Sequence, residues 1–240
     1  MSCLLIFDCD GVLVDSETLS SQVLAGFLTE LGYPLSAAES VARFTGMSIA
    51  GVRTTIMAEG YDLPADFVDE VHRRADIVFD RDLKPVVGIA EVLARLAGPR
   101  CVASSGSPAR ISRSLRTTGL DRFFATDALF SAAMVARGKP APDLFLHAAA
   151  AMGTDPAHCL VIEDSALGVQ AARAAGMPVL GYAGAGHCGP GHADRLHALG
   201  AAAVFDDIGR LPGLLEAVNP LAAGGGPVAS RAGPVRTDRS

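Results

Sequence analysis

No stretch of this chain is apolar for long enough to cross a membrane, and no cationic segment precedes its first apolar run. The first absence argues against a helical membrane span. The second predicts a mature protein that begins at Met1. Positive charge is also short, with 20 Lys and Arg against 26 Asp and Glu and a net charge of −6. That balance argues against nucleic acid or an anionic membrane as a partner. It leaves room for an anionic substrate, because a site can be locally cationic on an acidic protein. Paired cysteines are missing too: Cys3, Cys9, Cys101, Cys159 and Cys188 are scattered, odd in number and without a C-x-x-C pair. This predicts reduced thiols in a cytoplasmic protein. There is no internal repeat. What the chain does have is length and apolar content, 240 residues of which 50% are hydrophobic. That is enough for a sizeable core, in one large domain or a domain with an insert.

The most informative stretch comes first. Residues 3–7 read as a short buried strand that runs into Asp8-Cys9-Asp10-Gly11-Val12-Leu13-Val14-Asp15-Ser16. Residues i and i+2 of an extended chain point the same way. Asp8 and Asp10 therefore project together from the carboxyl end of the strand, while Cys9 points away and packs. Two like charges so close need a shared proton or a divalent cation, and clustered hard oxygens suit Mg²⁺. Taken alone, Asp-x-Asp-Gly also fits an ordinary strand-to-turn junction.

Further along, residues 17–31 carry Leu19, Val23, Leu24, Phe27, Leu28 and Leu31 at helical spacing, and Gly32-Tyr33-Pro34 ends that helix. Helical patterns also cover 37–44, 49–59 and 65–79, with nothing strand-like before Leu83. This block reads as a small all-helical insert. Helices are then predicted over 89–96, 109–118, 142–152 and 165–175. They alternate with strands over 100–104, 128–130, 159–162, 178–182 and 203–205. Such alternation predicts a parallel sheet covered by helices. The segment 181–200, rich in Gly and His, reads as a surface loop, although His187 and His192 are candidates to reach the site. Residues 219–240 offer no packing face and read as a disordered tail.

Polar groups recur where strands stop, and in an open parallel sheet those carboxyl ends form the ligand crevice. The first strand delivers Asp8 and Asp10. The second delivers Ser104, with the Ser105 and Gly106 amides beyond it. A later strand delivers Glu163 and Asp164. Lys139 sits in Gly138-Lys139-Pro140-Ala141-Pro142-Asp143, a loop stiffened by two prolines. Each group has an ordinary explanation by itself: Ser104 as a turn or cap residue, Lys139 as a solvated lysine, Glu163-Asp164 as the acidic start of a helix.

Together they suit phosphoryl transfer through a carboxylate. Asp8 attacks phosphorus to form an aspartyl-phosphate. Mg²⁺, held by Asp8, Asp164 and the Asp10 carbonyl with Glu163 tuning the set, offsets charge on the reacting oxygens. Asp10 protonates the leaving oxygen and later takes a proton from water. Ser104, the Ser105 amide and Lys139 hold phosphate oxygens.

With Ala103-Ser104-Ser105 and Ile162-Glu163-Asp164-Ser165-Ala166-Leu167-Gly168 added, these segments resemble the four motifs of the haloacid dehalogenase-like hydrolase superfamily. They occur in the family's order, and the resemblance spans residues 4–215. It implies an α/β fold with a Rossmann-like parallel-sheet core, residues 1–15 and 86–218, and a small inserted all-helical cap, residues 16–85. The branch it resembles is that of β-phosphoglucomutase and phosphoglycolate phosphatase. Asp10, which true dehalogenases of the superfamily lack, implies a phosphatase or phosphomutase.

The mutases carry a His four residues after the position of Ser16, and an Arg in a Gly-x-Ser-Arg stretch. Here those positions are Ser20 and, in Gly46-Met47-Ser48-Ile49, Ile49. A mutase needs a second cationic clamp for its bisphosphorylated intermediate; Arg43, Arg53, Arg73 and Arg74 are the residues left to supply one. The expectation is an Mg²⁺-dependent phosphatase for a small phosphorylated sugar, sugar acid or polyol. The alternatives are a phosphosugar mutase, or a phosphosugar-binding or aspartate-phosphorylated regulator without turnover. Asp10 and the helical insert favour an enzyme. The cap is expected to open and close through Ser16 and residues 82–88. A monomer is compatible with the sequence.

Overall fold

The computed structural model describes residues 3–45 and 47–218. The first strand, β1 (Leu4–Phe7), is Leu-Leu-Ile-Phe and buried at all four positions, as an uninterrupted apolar run should be when both faces of a sheet are covered. Four helices follow before the chain returns to the sheet: α1 (Glu17–Glu30), α2 (Ala37–Phe44), α3 (Ile49–Ala58) and α4 (Phe67–Asp82). Then come α5 (Ile89–Arg95), β2 (Arg100–Ser104), α6 (Pro108–Thr117), β3 (Leu129–Ser131), α7 (Asp143–Ala151) and β4 (Cys159–Glu163). The remainder is α8 (Ala166–Ala174), β5 (Val179–Tyr182), α9 (His192–Ala198), β6 (Ala203–Phe205) and α10 (Leu211–Val218).

The six strands form one sheet in the order β3-β2-β1-β4-β5-β6, with every neighbouring pair parallel. This is the expected Rossmann-like α/β core. The chain winds outward from β1 in one direction and from β4 in the other, so the switch of direction lies between these two neighbours. A crevice opens there at the strands' carboxyl ends. Phe7 pairs with Val102 of β2 on one side and Ile162 of β4 on the other. The residues just past Phe7, Ser104 and Glu163 therefore emerge along the same edge.

Alternation along the strands separates two apolar layers. Leu5 and Phe7 join a cluster with Val102, Ile162, Ile111 and Ile89; Leu4 and Ile6 join another with Cys101, Val161, Phe145 and Val169. Cys9, 1% exposed, packs in the first of these, as its alternation predicts. The block α1–α4 has a third cluster of its own, with Leu24, Phe27, Leu28, Val52, Ile56 and Phe67. It meets the sheet-bearing part through α4. Ala75 and Phe79 bury themselves in the first sheet cluster, and Asp76 and Asp80 face Arg113 of α6 at 3.0 and 3.7 Å.

The segment 181–200 departs from the reading as a surface loop. It contains α9, which starts after Gly191 in the left-handed region (φ 78°) and anchors on the buried Leu196. His187 within it is only 6% exposed. Glycine and proline dilute the helical period here, and burial is imposed by the sheet edge rather than by the local pattern. The expected tail, 219–240, lies outside the described residues. Among the described residues, no helix is long and apolar enough to cross a membrane.

Candidate active site

Four of the expected site residues meet at the carboxyl edge of the sheet. Asp8 follows β1 directly, its amide donating to the Ile162 carbonyl at 3.0 Å, and it is 7% exposed. Glu163 ends β4 and is completely buried, and Asp164 follows at 3%. Lys139 reaches in from the proline-stiffened loop before α7. Its Nζ lies 2.9 Å from Asp8 Oδ1 and 2.5 Å from Glu163 Oε1. One ligand oxygen each from Asp8, Glu163 and Asp164 lies within 4.8 Å of the others.

The turn after β4 explains how Glu163 is held. Its Oε2 accepts from the Ser165 amide at 2.8 Å and from the Ser165 hydroxyl at 2.9 Å. Ser165 in turn caps α8 by accepting from the Gly168 amide at 3.0 Å. Gly168 is required for space: a Cβ there would lie 1.8 Å from Glu163 Cδ. Both Glu163 oxygens are thus engaged, one by Lys139 and one by Ser165. This residue orients Lys139 and the entry to α8, a role that expectation from sequence did not assign. Gly11 is required twice over. Its φ is 80°, and a Cβ would sit 2.1 Å from Asp164 Oδ2.

Asp10, Ser104 and Ser105 sit around this centre rather than in it. Asp10 accepts a 2.6 Å hydrogen bond on Oδ1 from the fully buried Ser16 hydroxyl. Ser16 precedes α1 but does not cap it with its side chain, so its hydroxyl serves Asp10 instead. Ser104 is buried at the end of β2, and its Oγ accepts from the Gly106 amide at 3.1 Å. That leaves the Ser104 O–H free to donate. Ser105 lies beyond it, exposed.

Two histidines complete the setting. His187 Nε2 is 3.0 Å from Asp164 Oδ2, and His192 Nε2 donates to the Asp164 carbonyl oxygen at 2.7 Å. The signal available in the sequence was position: both follow the carboxyl end of β5, on the edge that carries every other site residue.

The electrostatics follow from burial. Desolvation pushes the Asp8 carboxyl well above the usual range, opposed by Lys139 and reinforced by Glu163 and Asp164. Desolvation also raises Asp164, against the pull of the His187 hydrogen bond. Lys139 is raised as well: burial would lower it, but the charges of Asp8 and Glu163 prevail. Burial likewise works against the His187 cation, yet its contact with Asp164, aided by Cys188, lifts it to about 10. At the first turn of α1, Glu17 is pushed up to about 7 by burial and then by repulsion from Asp10 and Asp164.

A hard divalent cation fits this donor set. Asp164 Oδ1 is buried without a hydrogen-bond partner among the described residues, and three carboxylates outnumber the one lysine among them. Buried anions of this kind call for a compensating charge.

The comparisons with known proteins agree with the geometry. The profile of the haloacid dehalogenase-like hydrolases matches residues 4–176. A 6-phosphogluconate phosphatase of Escherichia coli (strain K12) is 33% identical over 187 residues, covering 77% of this chain and 84% of the relative. A conserved haloacid dehalogenase-like protein of unknown function from Agrobacterium tumefaciens superposes with a TM-score of 0.83. It is 42% identical, over 90% of this chain and 99% of that one. A hydrolase of the same family from Deinococcus radiodurans R1, solved with bound phosphate and sodium, gives a TM-score of 0.77. It is 34% identical, over 90% and 96% of the two chains. The chain therefore belongs to the haloacid dehalogenase-like hydrolase family.

Proposed function

We propose that this protein is a Mg²⁺-dependent phosphatase that hydrolyses a small phosphorylated sugar, sugar acid or polyol through an aspartyl-phosphate. The observation that carries the reading is the pairing of Asp8 with Lys139 beside Asp164, whose Oδ1 is buried and unpartnered. A carboxylate at the end of a core strand, flanked by an ammonium and a metal-ready carboxylate, suits attack on phosphorus. Asp8, Asp164 and the Asp10 carbonyl would hold Mg²⁺, with Glu163 acting on them through Lys139. The ion, when bound, would offset charge on the nucleophile and the phosphate.

Asp8 forms a bond to phosphorus as the ester oxygen departs. Asp10, steadied on Oδ1 by Ser16, gives that oxygen a proton. Asp10 then takes a proton from water, which attacks the same phosphorus, frees inorganic phosphate and restores Asp8. Lys139, Ser104 and the Ser105 amide steady the phosphate oxygens. Residues 16–85 act as a cap over this edge and residues 1–15 and 86–218 as the catalytic core, with Ser16 and residues 82–88 as the hinge.

The cap arginines weigh against a mutase. Arg43 pairs with Glu59 at 2.6 Å, Arg73 with Glu70 at 2.7 Å, and Arg74 with both Glu70 and Glu30 at 2.7 Å. Arg53 donates to the Pro64 carbonyl at 3.4 Å. Ile49, partly buried, packs on the cap's apolar cluster. Ile49 carries no charge, and three of the four arginines already hold carboxylate partners.

Arg110 of α6 favours one substrate class among those named. Its guanidinium stacks over Phe79 at 4.6 Å, its buried Nε has no partner among the described residues, and its charge reaches Cys9 and Glu17 beside the site. A free guanidinium next to the catalytic edge suits a second anionic group on the substrate. That fits a sugar-acid phosphate, the class named by the 6-phosphogluconate phosphatase relative.

The test is phosphate release over a panel of sugar, sugar-acid and polyol phosphates with Mg²⁺. Sustained turnover supports the reading. Isomerised phosphosugar that depends on a bisphosphate would favour a mutase, and one phosphate per protein without turnover would favour a regulator.

A further inference from the structure

The segment after β5 holds a cluster that the phosphatase chemistry leaves partly unused. His187, Cys188 and His192 each offer one ligand atom, and the three atoms lie within 4.8 Å of one another. Cys188 Sγ is 3.6 Å from His187 Nε2. His192 donates Nε2–H to the Asp164 carbonyl at 2.7 Å. A carbonyl only accepts, so this bond fixes the proton on Nε2 and leaves the lone pair on Nδ1. Metal-ligating histidines are characteristically oriented in this way, by donating the other ring N–H to a carbonyl or carboxylate.

His187 is 6% exposed, and its Nδ1 has no partner among the described residues. Cys188 is a free, half-buried thiol whose sulfur lies beside both imidazoles. Two imidazoles and a sulfur are a borderline-soft donor set. They suit Zn²⁺ and related ions rather than Mg²⁺, and three protein ligands leave a fourth position open.

We propose that His187, Cys188 and His192 form a binding site for Zn²⁺ or a similar thiophilic divalent ion, separate from the acidic Mg²⁺ site, and that its occupation inhibits the enzyme. The inhibitory half rests on the reading of Asp164 as a Mg²⁺ ligand. Ligation through His187 Nε2, the ring nitrogen 3.6 Å from the Cys188 sulfur, takes the place of its 3.0 Å contact with Asp164 Oδ2. On binding, the Nε2 proton and the Cys188 thiol proton leave to solvent, N–metal and S–metal bonds form, and the hydrogen bond that steadies Asp164 is broken. No electron changes hands. Second-sphere partners of this kind typically govern metal affinity by about 10–100-fold, so their loss weakens Mg²⁺ at the catalytic edge.

The experiment uses the full chain, stripped with chelator and resupplied with saturating Mg²⁺. Co²⁺ serves as the spectroscopic probe and Zn²⁺ as the inhibitor. One equivalent of Co²⁺ should give a sulfur-to-cobalt charge-transfer band in the near ultraviolet despite the Mg²⁺. The band should vanish in both Cys188→Ser and Cys188→Ala. Zn²⁺ should inhibit the wild type, and the Cys188 variants should need at least about tenfold more of it while matching wild-type turnover with Mg²⁺ alone. Absence of the band in the wild type overturns the site, without relying on any variant folding. Equal zinc sensitivity of wild type and variants overturns the inhibitory role and places the zinc effect at the acidic site. Failure of the phosphatase reading would look different: the cobalt–thiolate band present, with no phosphate released from any ester.

Discussion

Replacing Lys139 with methionine removes a charge while keeping most of the stem, and the structure fixes what should follow. The ammonium is 2.9 Å from Asp8 and 2.5 Å from Glu163, with side chains exposed by 5%, 10% and 0% respectively. Without it, two buried carboxylates face each other and Asp164 uncompensated. Breaking a buried ion pair from one side destabilises by about 3–5 kcal/mol. The urea slope for a chain of this size is about 2–3 kcal/mol per M, so the unfolding midpoint should fall by about 1–2.5 M. A domain in the upper part of the ordinary range of about 5–15 kcal/mol remains folded after such a loss.

Two features make this more specific than a generic core defect. Mg²⁺ should stabilise Lys139→Met more than the wild type, because the ion supplies the missing positive charge. The deficit should also shrink as pH falls, because Asp8 already takes up its proton above the usual carboxylate range and the neutral acid needs no partner. Adding Glu163→Gln should recover part of the loss. Equilibrium urea unfolding followed by circular dichroism, with and without Mg²⁺, measures all three. An unchanged midpoint, or a loss insensitive to both Mg²⁺ and acid, would refute the reasoning.

Three further outcomes follow from single contacts. Gly168→Ala places a Cβ 1.8 Å from Glu163 Cδ and should lower stability by about 1–3 kcal/mol together with activity; wild-type values for both would contradict the crowding. Glu17, pushed up to about 7 from 4.5, keeps its proton in the folded chain after the unfolded chain has released it. Its contribution is therefore complete below pH 4.5 and is lost as pH rises through 7, an upper bound of about 3 kcal/mol. Glu17→Gln should flatten that decline in a pH series of melting curves, and parallel curves would sink the assignment. Arg110→Gln should lower kcat/KM by about tenfold or more on carboxylate-bearing sugar phosphates, the loss expected of a charge-assisted hydrogen bond, and far less on neutral ones. An equal loss on both would remove its selective role.

Much of the fold is legible because the strands are continuous apolar runs bounded by turns. The strands at Arg100–Ser104 and Ala203–Phe205 match the sequence reading to the residue, and the helical block fills the gap after β1. α9 and α10 escape the pattern because glycine and proline interrupt it. α9 lies in a glycine-rich segment, and α10 carries Pro212 and Gly213 near its start. The site residues are legible as polar groups at strand ends, but their partnerships are not. Lys139 meets Glu163 across 24 positions and His192 meets Asp164 across 28, and such pairings are set by the sheet order rather than by local spacing. That is why Lys139 reads from sequence as a phosphate ligand alone, and why the histidine contact with Asp164 is invisible without the fold.

The central claim is that Asp8 becomes esterified by phosphate during turnover. Its most direct test is acid-quenched single turnover of the Asp10→Asn variant with a radiolabelled sugar phosphate, followed by peptide mapping. The account predicts protein-bound label on the peptide containing Asp8, absent when Asp8→Asn is added. Label on any other residue, or turnover without protein-bound phosphate under conditions that trap acyl phosphates, would contradict it.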